Sequence, residues 1–206
     1  MQGQAPLHRR FTLERFIEQR AYVALGANLP FGNLSPAETL RQALASLVAK
    51  GQSIVAVSRF YQTPCFPAGA GPDYVNAVCA VQISAESSPQ SVLATLHEVE
   101  NTYGRKRSQR WGMRTLDLDL IAFGDSVVPD ATTQGAWRDL ALADQKREAP
   151  DQLILPHPRL QDRAFVLVPM ADVAADWRHP LLGQTVGQML AALPLGDRAA
   201  MVPLGD

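Results

Sequence analysis

Cysteine is scarce: Cys65 and Cys79 are the only two in 206 residues, and no C-x-x-C or other metal-ligand spacing accompanies them. This argues against a disulfide framework and a structural zinc site, and fits a reducing, cytoplasmic setting. Long apolar runs are missing too. No stretch approaches the roughly 18 consecutive apolar residues of a membrane helix, and the N-terminus lacks the apolar segment of about 7 to 15 residues that marks a secretory signal. Nor is there an excess of one charge, since 19 Lys and Arg against 20 Asp and Glu leave a net charge of -1. The global basic excess that nucleic-acid binders often show is therefore absent.

What is present is 47% hydrophobic and 19% charged residues, an ordinary globular composition, in a length suited to one domain with a full core. Residues 1–20 stand apart from that domain, placed at 21–206. Arg9, Arg10, Arg15 and Arg20 mix with Phe11, Leu13, Phe16 and Ile17 as in a transit peptide. Glu14 and Glu18 oppose that reading, so a flexible or loosely docked extension is expected.

Ala21 to Leu25 is a short apolar run ending at Gly26 and predicts a buried first strand. Ser35-Pro36-Ala37-Glu38 combines a capping box with proline at the first helical position. Leu40, Ala43, Leu44, Leu47 and Val48 follow at helical spacing before Gly51. Ile54 to Tyr61 is β-branched and aromatic, and Tyr74 to Ile83 alternates, with Val75, Ala77, Cys79, Val81 and Ile83 on one face. The Pro- and Gly-rich stretch 63–72 between them forbids regular structure. Ser88-Pro89 opens a second helix carrying Val92, Leu96, Val99 and Tyr103 on one stripe and ending at Gly104. A strand through Asp117 and Asp119 comes next. The order β-α-β-β-α-β predicts an α+β, ferredoxin-like sandwich with its helices on one face of an antiparallel sheet and the other face free for ligands. Periodicity fails over about 126–152, which reads as an insertion. It resumes in Leu153 to Pro158, an amphipathic stretch from Arg163 to Val173 and a short helix near Val186 to Leu193, a C-terminal helical extension.

The residues that carry chemistry are concentrated in Arg110-Trp111-Gly112-Met113-Arg114-Thr115-Leu116-Asp117-Leu118-Asp119-Leu120. On a strand Asp117 and Asp119 share one face and the leucines the other. Paired carboxylates repel, and a divalent cation is the usual compensation, because Mg²⁺ takes one or two carboxylates plus phosphate oxygens. Arg105, Lys106, Arg107, Arg110 and Arg114 would then clamp phosphates. A wet edge strand with a solvated basic loop is the competing reading. Tyr74 and Asn76 also share a strand face, pairing a stacking ring with an amide that can both donate and accept, as the edge of a pterin or purine requires. Ordinary sheet-surface packing would also account for them. His157, held between Pro156 and Pro158, is a candidate ligand contact, with a core histidine as the alternative.

Phe60-Tyr61-Gln62-Thr63-Pro64, Pro72-Asp73-Tyr74-Val75-Asn76, Gly104-Arg105-Lys106-Arg107, the Arg110 to Asp119 block and Leu155-Pro156-His157-Pro158, in that order, resemble the 6-hydroxymethyl-7,8-dihydropterin pyrophosphokinases of folate biosynthesis. The resemblance covers about 21–193. It implies transfer of the β,γ-pyrophosphoryl group of ATP to the pterin hydroxymethyl oxygen, with release of AMP. By that resemblance Asp117 and Asp119 hold two Mg²⁺ ions, and Arg107 and Arg114 join them as catalytic groups. Tyr74 and Phe165 sandwich the pterin, Asn76 bonds its edge, and Thr63, Pro64, Phe66 and Trp111 complete its pocket. Glu100, Arg107, Arg110, Trp111, Arg114, Leu120, Ile154, His157, Pro158 and Arg163 fall where the family contacts ATP. No nucleic acid or membrane partner is implied. The oligomeric state stays open, a monomer among the options. A ferredoxin-like nucleic-acid-binding module and a two-metal nucleotidyltransferase acting on another substrate are the rival functions. The carboxylates oppose the first, since they would repel a phosphate backbone unless metal-bound.

Overall fold

Strand β1 (Arg20–Ala27) runs through the middle of the sheet, antiparallel to β4 (Tyr74–Gln82) on one side and to β5 (Asp117–Phe123) on the other. The computed structural model describes residues 19–65, 69, 71–104, 114–141, 144 and 147–205. Strands β2 (Ile54–Val57) and β3 (Tyr61–Thr63) lie end to end along the far edge of β4. The sequence predicts one strand there, over 54–61. It breaks at Ser58, whose hydroxyl accepts the Val78 N–H at 2.9 Å and turns back to donate to the Arg59 carbonyl. A side chain takes the place of a main-chain acceptor, and the ladder restarts three residues later. Strand β6 (Val202–Pro203), which no sequence signal marks, pairs with β3 and brings the sheet to six strands.

Helices α1 (Pro36–Ala49) and α2 (Pro89–Thr102) cover one face. Both begin with proline in the first turn behind a serine cap, and the Ser35/Glu38 capping box forms as expected. Leu40, Ala43, Leu47, Val92, Leu96 and Val99 pack from the helices onto Val23, Leu25, Cys79, Leu118 and Leu120 of the sheet. Burying a leucine or valine in such a layer contributes about 1.5–3 kcal/mol. The strand alternation over 75–83 is borne out, because Ala77, Cys79, Val81 and Ile83 all enter this core with Val75 at its margin.

The expectation of a free second face needs correction. Helices α4 (Ala164–Ala174) and α5 (Val186–Ala192) lie over it, burying Leu167, Met170, Val186 and Met189 against Tyr22, Val78, Ala80 and Ile121. That strand surface is apolar, and leaving it wet would forfeit the same transfer energy the first face gains. Among the described residues, Tyr74, Asp117 and Asp119 toward one end of the sheet keep partial exposure on this side. Helix α3 (Ala131–Arg138) forms within the segment read as lacking periodicity, and a short helix α6 (Leu195–Ala199) precedes β6.

The register between β1 and β5 slips at one point. Val23 pairs with Leu120 and Tyr22 with Ala122, leaving Ile121 as an extra residue in β5. The bulge lets Ile121 and Ala122 both join the second core while Leu118, Leu120 and Phe123 stay with the first.

Candidate active site

The open end of the sheet is floored by Gly26. It sits between Asn76 of β4 and Asp117 of β5, with Ala24 beside Asp119 one step along. A Cβ on Gly26 would lie 2.8 Å from Asn76 Oδ1, so the absence of a side chain is what admits the Asn76 amide. That amide is buried, and its Nδ2 donates to Thr63 Oγ1 at 2.7 Å. Thr63, the last residue of β3, is thereby fixed next to Asn76, with exposed Pro64 following it.

Tyr74 is half-buried at the start of β4. Burial pushes its hydroxyl above the ordinary tyrosine value, and Cys65, Arg114 and Asp117 all act on it electrostatically. The ring side of the site therefore adjoins the charged side. Arg114 donates to Asp117 Oδ1 through Nη1, an ion pair between two partly exposed groups.

Asn28, just beyond β1, ties these parts together. Its Nδ2 donates to the Pro72 carbonyl at 3.1 Å, its Oδ1 accepts the Arg114 N–H at 2.9 Å, and its own N–H donates to the Arg114 carbonyl at 3.0 Å. With 2% of its surface exposed, it has exchanged water for these bonds. Pro72 lies two residues before Tyr74 and Arg114 three before Asp117. One buried amide thus sets the spacing between Tyr74 and Asp117.

Asp119 acts electrostatically on Arg163, the N-cap residue of α4. Burial pushes the Arg163 guanidinium below its usual value, opposed by Asp119 and Asp117 and assisted by Arg159. Arg163 also lies over the exposed Phe165 ring, 5.5 Å from its centroid. His157 borders the same group. Its N–H donates to the Ile121 carbonyl at 2.8 Å, so the β5 bulge supplies the acceptor that holds this segment to the strand. Its Nδ1 accepts the Arg159 N–H at 3.1 Å, which leaves Nε2 as the protonated, donating nitrogen. Burial, then Arg163 and Arg159, push the imidazole down to about 3, so it is neutral at physiological pH.

Glu100 occupies a different position. It is fully buried at the outer edge of β5, where Oε1 accepts the Leu118 N–H at 2.8 Å. A carboxylate here closes the open edge of the strand that carries Asp117 and Asp119. The side chains of Leu120 and Ile154 are buried, Leu120 in the helix-side core, while Pro158 keeps partial exposure beside His157. Phe66, Arg107, Arg110 and Trp111 lie outside the described residues.

The structure thus gathers Thr63, Tyr74, Asn76, Arg114, Asp117, Asp119, His157, Arg163 and Phe165 at one end of the sheet. Gly26, Asn28 and Arg159 join them without having been singled out in the sequence. Arg159 carried a signal, as a basic residue directly after His157-Pro158. The two carboxylates form a hard oxygen donor set, and Mg²⁺ takes one or two carboxylates with the rest of its shell from phosphate and water. Asp117 and Asp119 fit that pattern; among the described residues no group of three or more His, Cys, Asp and Glu is close enough to hold a metal ion.

A family model described as 7,8-dihydro-6-hydroxymethylpterin-pyrophosphokinase matches residues 22–175. The 2-amino-4-hydroxy-6-hydroxymethyldihydropteridine pyrophosphokinase of Pseudomonas aeruginosa is 38% identical over 178 residues, covering 85% of this chain and 93% of that protein. The protein of the same name from Synechocystis sp. is 36% identical over 172 residues, 82% of this chain and 74% of its own length. Among solved structures, a crystal structure of HPPK-DHPS in complex with substrates superposes with a TM-score of 0.60 at 11% identity, over 84% of this chain and 43% of that one. Wild-type Plasmodium falciparum HPPK-DHPS gives 0.57 at 14% identity, over 84% and 44%. This chain spans less than half of either structure's chain, and at those identities they bear on fold alone, in agreement with the ferredoxin-like strand order. The chain belongs to the 7,8-dihydro-6-hydroxymethylpterin-pyrophosphokinase family.

Proposed function

We propose that this chain transfers the β,γ-pyrophosphoryl group of ATP to the hydroxymethyl oxygen of 6-hydroxymethyl-7,8-dihydropterin, forming the pterin diphosphate and AMP. The observation that carries the reading is the meeting of Tyr74, Arg114 and Asp117. A ring that can stack on a heterocycle lies within electrostatic reach of an arginine-carboxylate pair suited to phosphate and metal. The names of the family's members match that arrangement.

Tyr74 and Phe165 would bracket the pterin and Asn76 would bond its edge, held in orientation by Thr63 and the space above Gly26. Asp117 and Asp119 would hold two Mg²⁺ ions, which when bound neutralise phosphate charge and polarise the transferring group. On substrate arrival Arg114 would move from Asp117 to phosphate, a charge-for-charge exchange between two strong acceptors. Neutral His157 would donate Nε2–H to an oxygen of the nucleotide. Arg163, with Asp119 as countercharge, would add a fixed positive charge beside the phosphates. Positioning and charge stabilisation of this kind supply most of the acceleration in phosphoryl transfer.

The test is product analysis with ATP, Mg²⁺ and 6-hydroxymethyl-7,8-dihydropterin. Stoichiometric AMP and pyrophosphorylated pterin are expected. ADP, or free pyrophosphate with nucleotide attached to the acceptor, would overturn the reading in favour of a simple kinase or a nucleotidyltransferase.

A second expectation concerns the floor. Gly26→Ala places a methyl 2.8 Å from Asn76 Oδ1, so the amide must swing away from Thr63. Overpacking of this size costs about 1–3 kcal/mol. Because the displaced group is the one that reads the pterin edge, calorimetric titration should show pterin affinity reduced about tenfold or more, with ATP affinity within about twofold. Equal loss for both ligands would assign Gly26 to general packing instead.

A further inference from the structure

We infer that Gln134, in the helix formed within the 126–152 segment, is a positioning residue for the nucleotide half of the site, acting through the His157 backbone. The inference rests on the proposed role of His157 toward ATP and extends it to a part of the chain that the activity leaves unexplained. Helix α3 begins at Asp130, whose carboxylate accepts both the Thr133 N–H at 2.9 Å and the Thr133 hydroxyl at 2.8 Å. One turn later Gln134 points inward. It has no exposed surface, and its Nε2 donates to the Pro156 carbonyl at 3.1 Å. Pro156 is the residue before His157.

Two further ties join the same segments. Val128 and Leu155 exchange N–H···O bonds of 2.9 and 3.0 Å, and Arg159 NH1 reaches the Arg138 carbonyl at 3.5 Å. The His157 segment is therefore held from two sides. On one, Ile121 of β5 accepts the His157 N–H. On the other, Gln134 donates to the carbonyl of the peptide that joins Pro156 to His157. Together these bonds fix the height and tilt of the imidazole over the strand bearing Asp119. Proline has no N–H of its own, so the Pro156 carbonyl is the main-chain hydrogen-bonding group that a neighbouring element can grip at that residue. A glutamine on the buried side of this helix answers that requirement, and burying it without such a bond would be unfavourable.

The test compares Gln134→Leu, which keeps approximate volume and deletes the donor, with Asp130→Ala, which removes the cap of the same helix but leaves the Gln134 bond in place. Both should lower the melting temperature. Only Gln134→Leu should raise KM for ATP, by about fivefold or more, with KM for the pterin within twofold. His157→Ala is measured alongside. An unchanged ATP KM in Gln134→Leu, or an equal rise in Asp130→Ala, would overturn the positioning role. If His157→Ala itself left ATP binding unaltered, the nucleotide reading of His157 would fall, and the role of Gln134 with it. Should Gln134→Leu fail to fold, Gln134→Met deletes the same donor with an unbranched side chain of similar length and no buried charge, and the same KM split decides.

Discussion

Asp119→Ala is expected to slow the single-turnover reaction about a thousandfold, roughly 4 kcal/mol of transition-state stabilisation. A carboxylate that ligates metal contributes through the charge it anchors, and that charge counts most when the phosphate chain redistributes its own. Ground-state binding of the pterin should change little, because Tyr74 and Asn76 lie across Gly26 from the carboxylates. Folding stability should also hold within about 1 kcal/mol. The variant relieves repulsion between Asp117 and Asp119 but takes a countercharge from Arg163, and the two effects oppose each other. Asp119→Asn should be nearly as slow as the alanine variant, since shape without charge does not replace a ligand. Rapid-quench measurement of AMP at saturating substrates is the check, and a rate within tenfold of the parent would remove Asp119 from the proposed metal site.

Much of this arrangement was legible in the residues, for reasons that vary with the element. The Ser35/Glu38 box and the 75–83 alternation are local signals, and each reappears as expected. Strand parity alone puts Tyr74 with Asn76, and Asp117 with Asp119, on common faces, and the structure brings the two pairs to one end of the sheet. Features that depend on register between strands were not legible. Gly26 matters because Asn76 stands opposite it, a relation that cannot be read from either segment alone. The Ile121 bulge is hidden because Leu120 to Phe123 is apolar throughout, so a slip of one residue there leaves no trace in the pattern. Helix α3 is illegible for a different reason: its buried anchor is Gln134, and apolar periodicity does not register a glutamine.

The second apolar layer bears directly on function. A sheet with one bare face could accept a ligand anywhere along it. Helices α4 and α5 close most of that face and leave the end where small residues, Ala24 and Gly26, alternate with functional ones on the flanking strands. The helix that closes the face also begins at Arg163 and carries Phe165 in its first turn. Burial of Leu167 and Met170 thereby sets the position of two proposed substrate contacts, so the packing that stabilises the domain also delimits the site.

Stability should fall steeply in mild acid, driven by two histidines held neutral. His179 has no exposed surface, and its Nδ1 accepts the N–H groups of Leu181 and Leu182, each at 3.2 Å. Burial, then Arg138, push it down to about 4, while His157 is pushed down to about 3. In the unfolded chain both protonate near 6.5. Between that value and the folded ones the unfolded state binds more protons, so unfolding free energy decreases as pH falls, by up to about 1.4 kcal/mol per pH unit for each histidine. Above about pH 7 neither contributes a slope, and below the folded values both states are protonated and the dependence ends. The lowered carboxyls of Asp130 and Asp172 act in a more acidic window, below about 4. The interval from about pH 6.5 to 4.5 is therefore governed mainly by the histidines, the lowered carboxyls of exposed Glu38 and Glu86 acting only at its acidic end. His179 should supply the fuller share, since His157 keeps some contact with solvent, which screens its neighbours. His179→Asn retains an acceptor for the two N–H groups without a proton to gain, and urea titrations at pH 6.5, 5.5 and 4.5 should show its slope reduced by about half. A parent protein whose unfolding free energy stays flat across that interval would show that neither imidazole is held neutral by the fold.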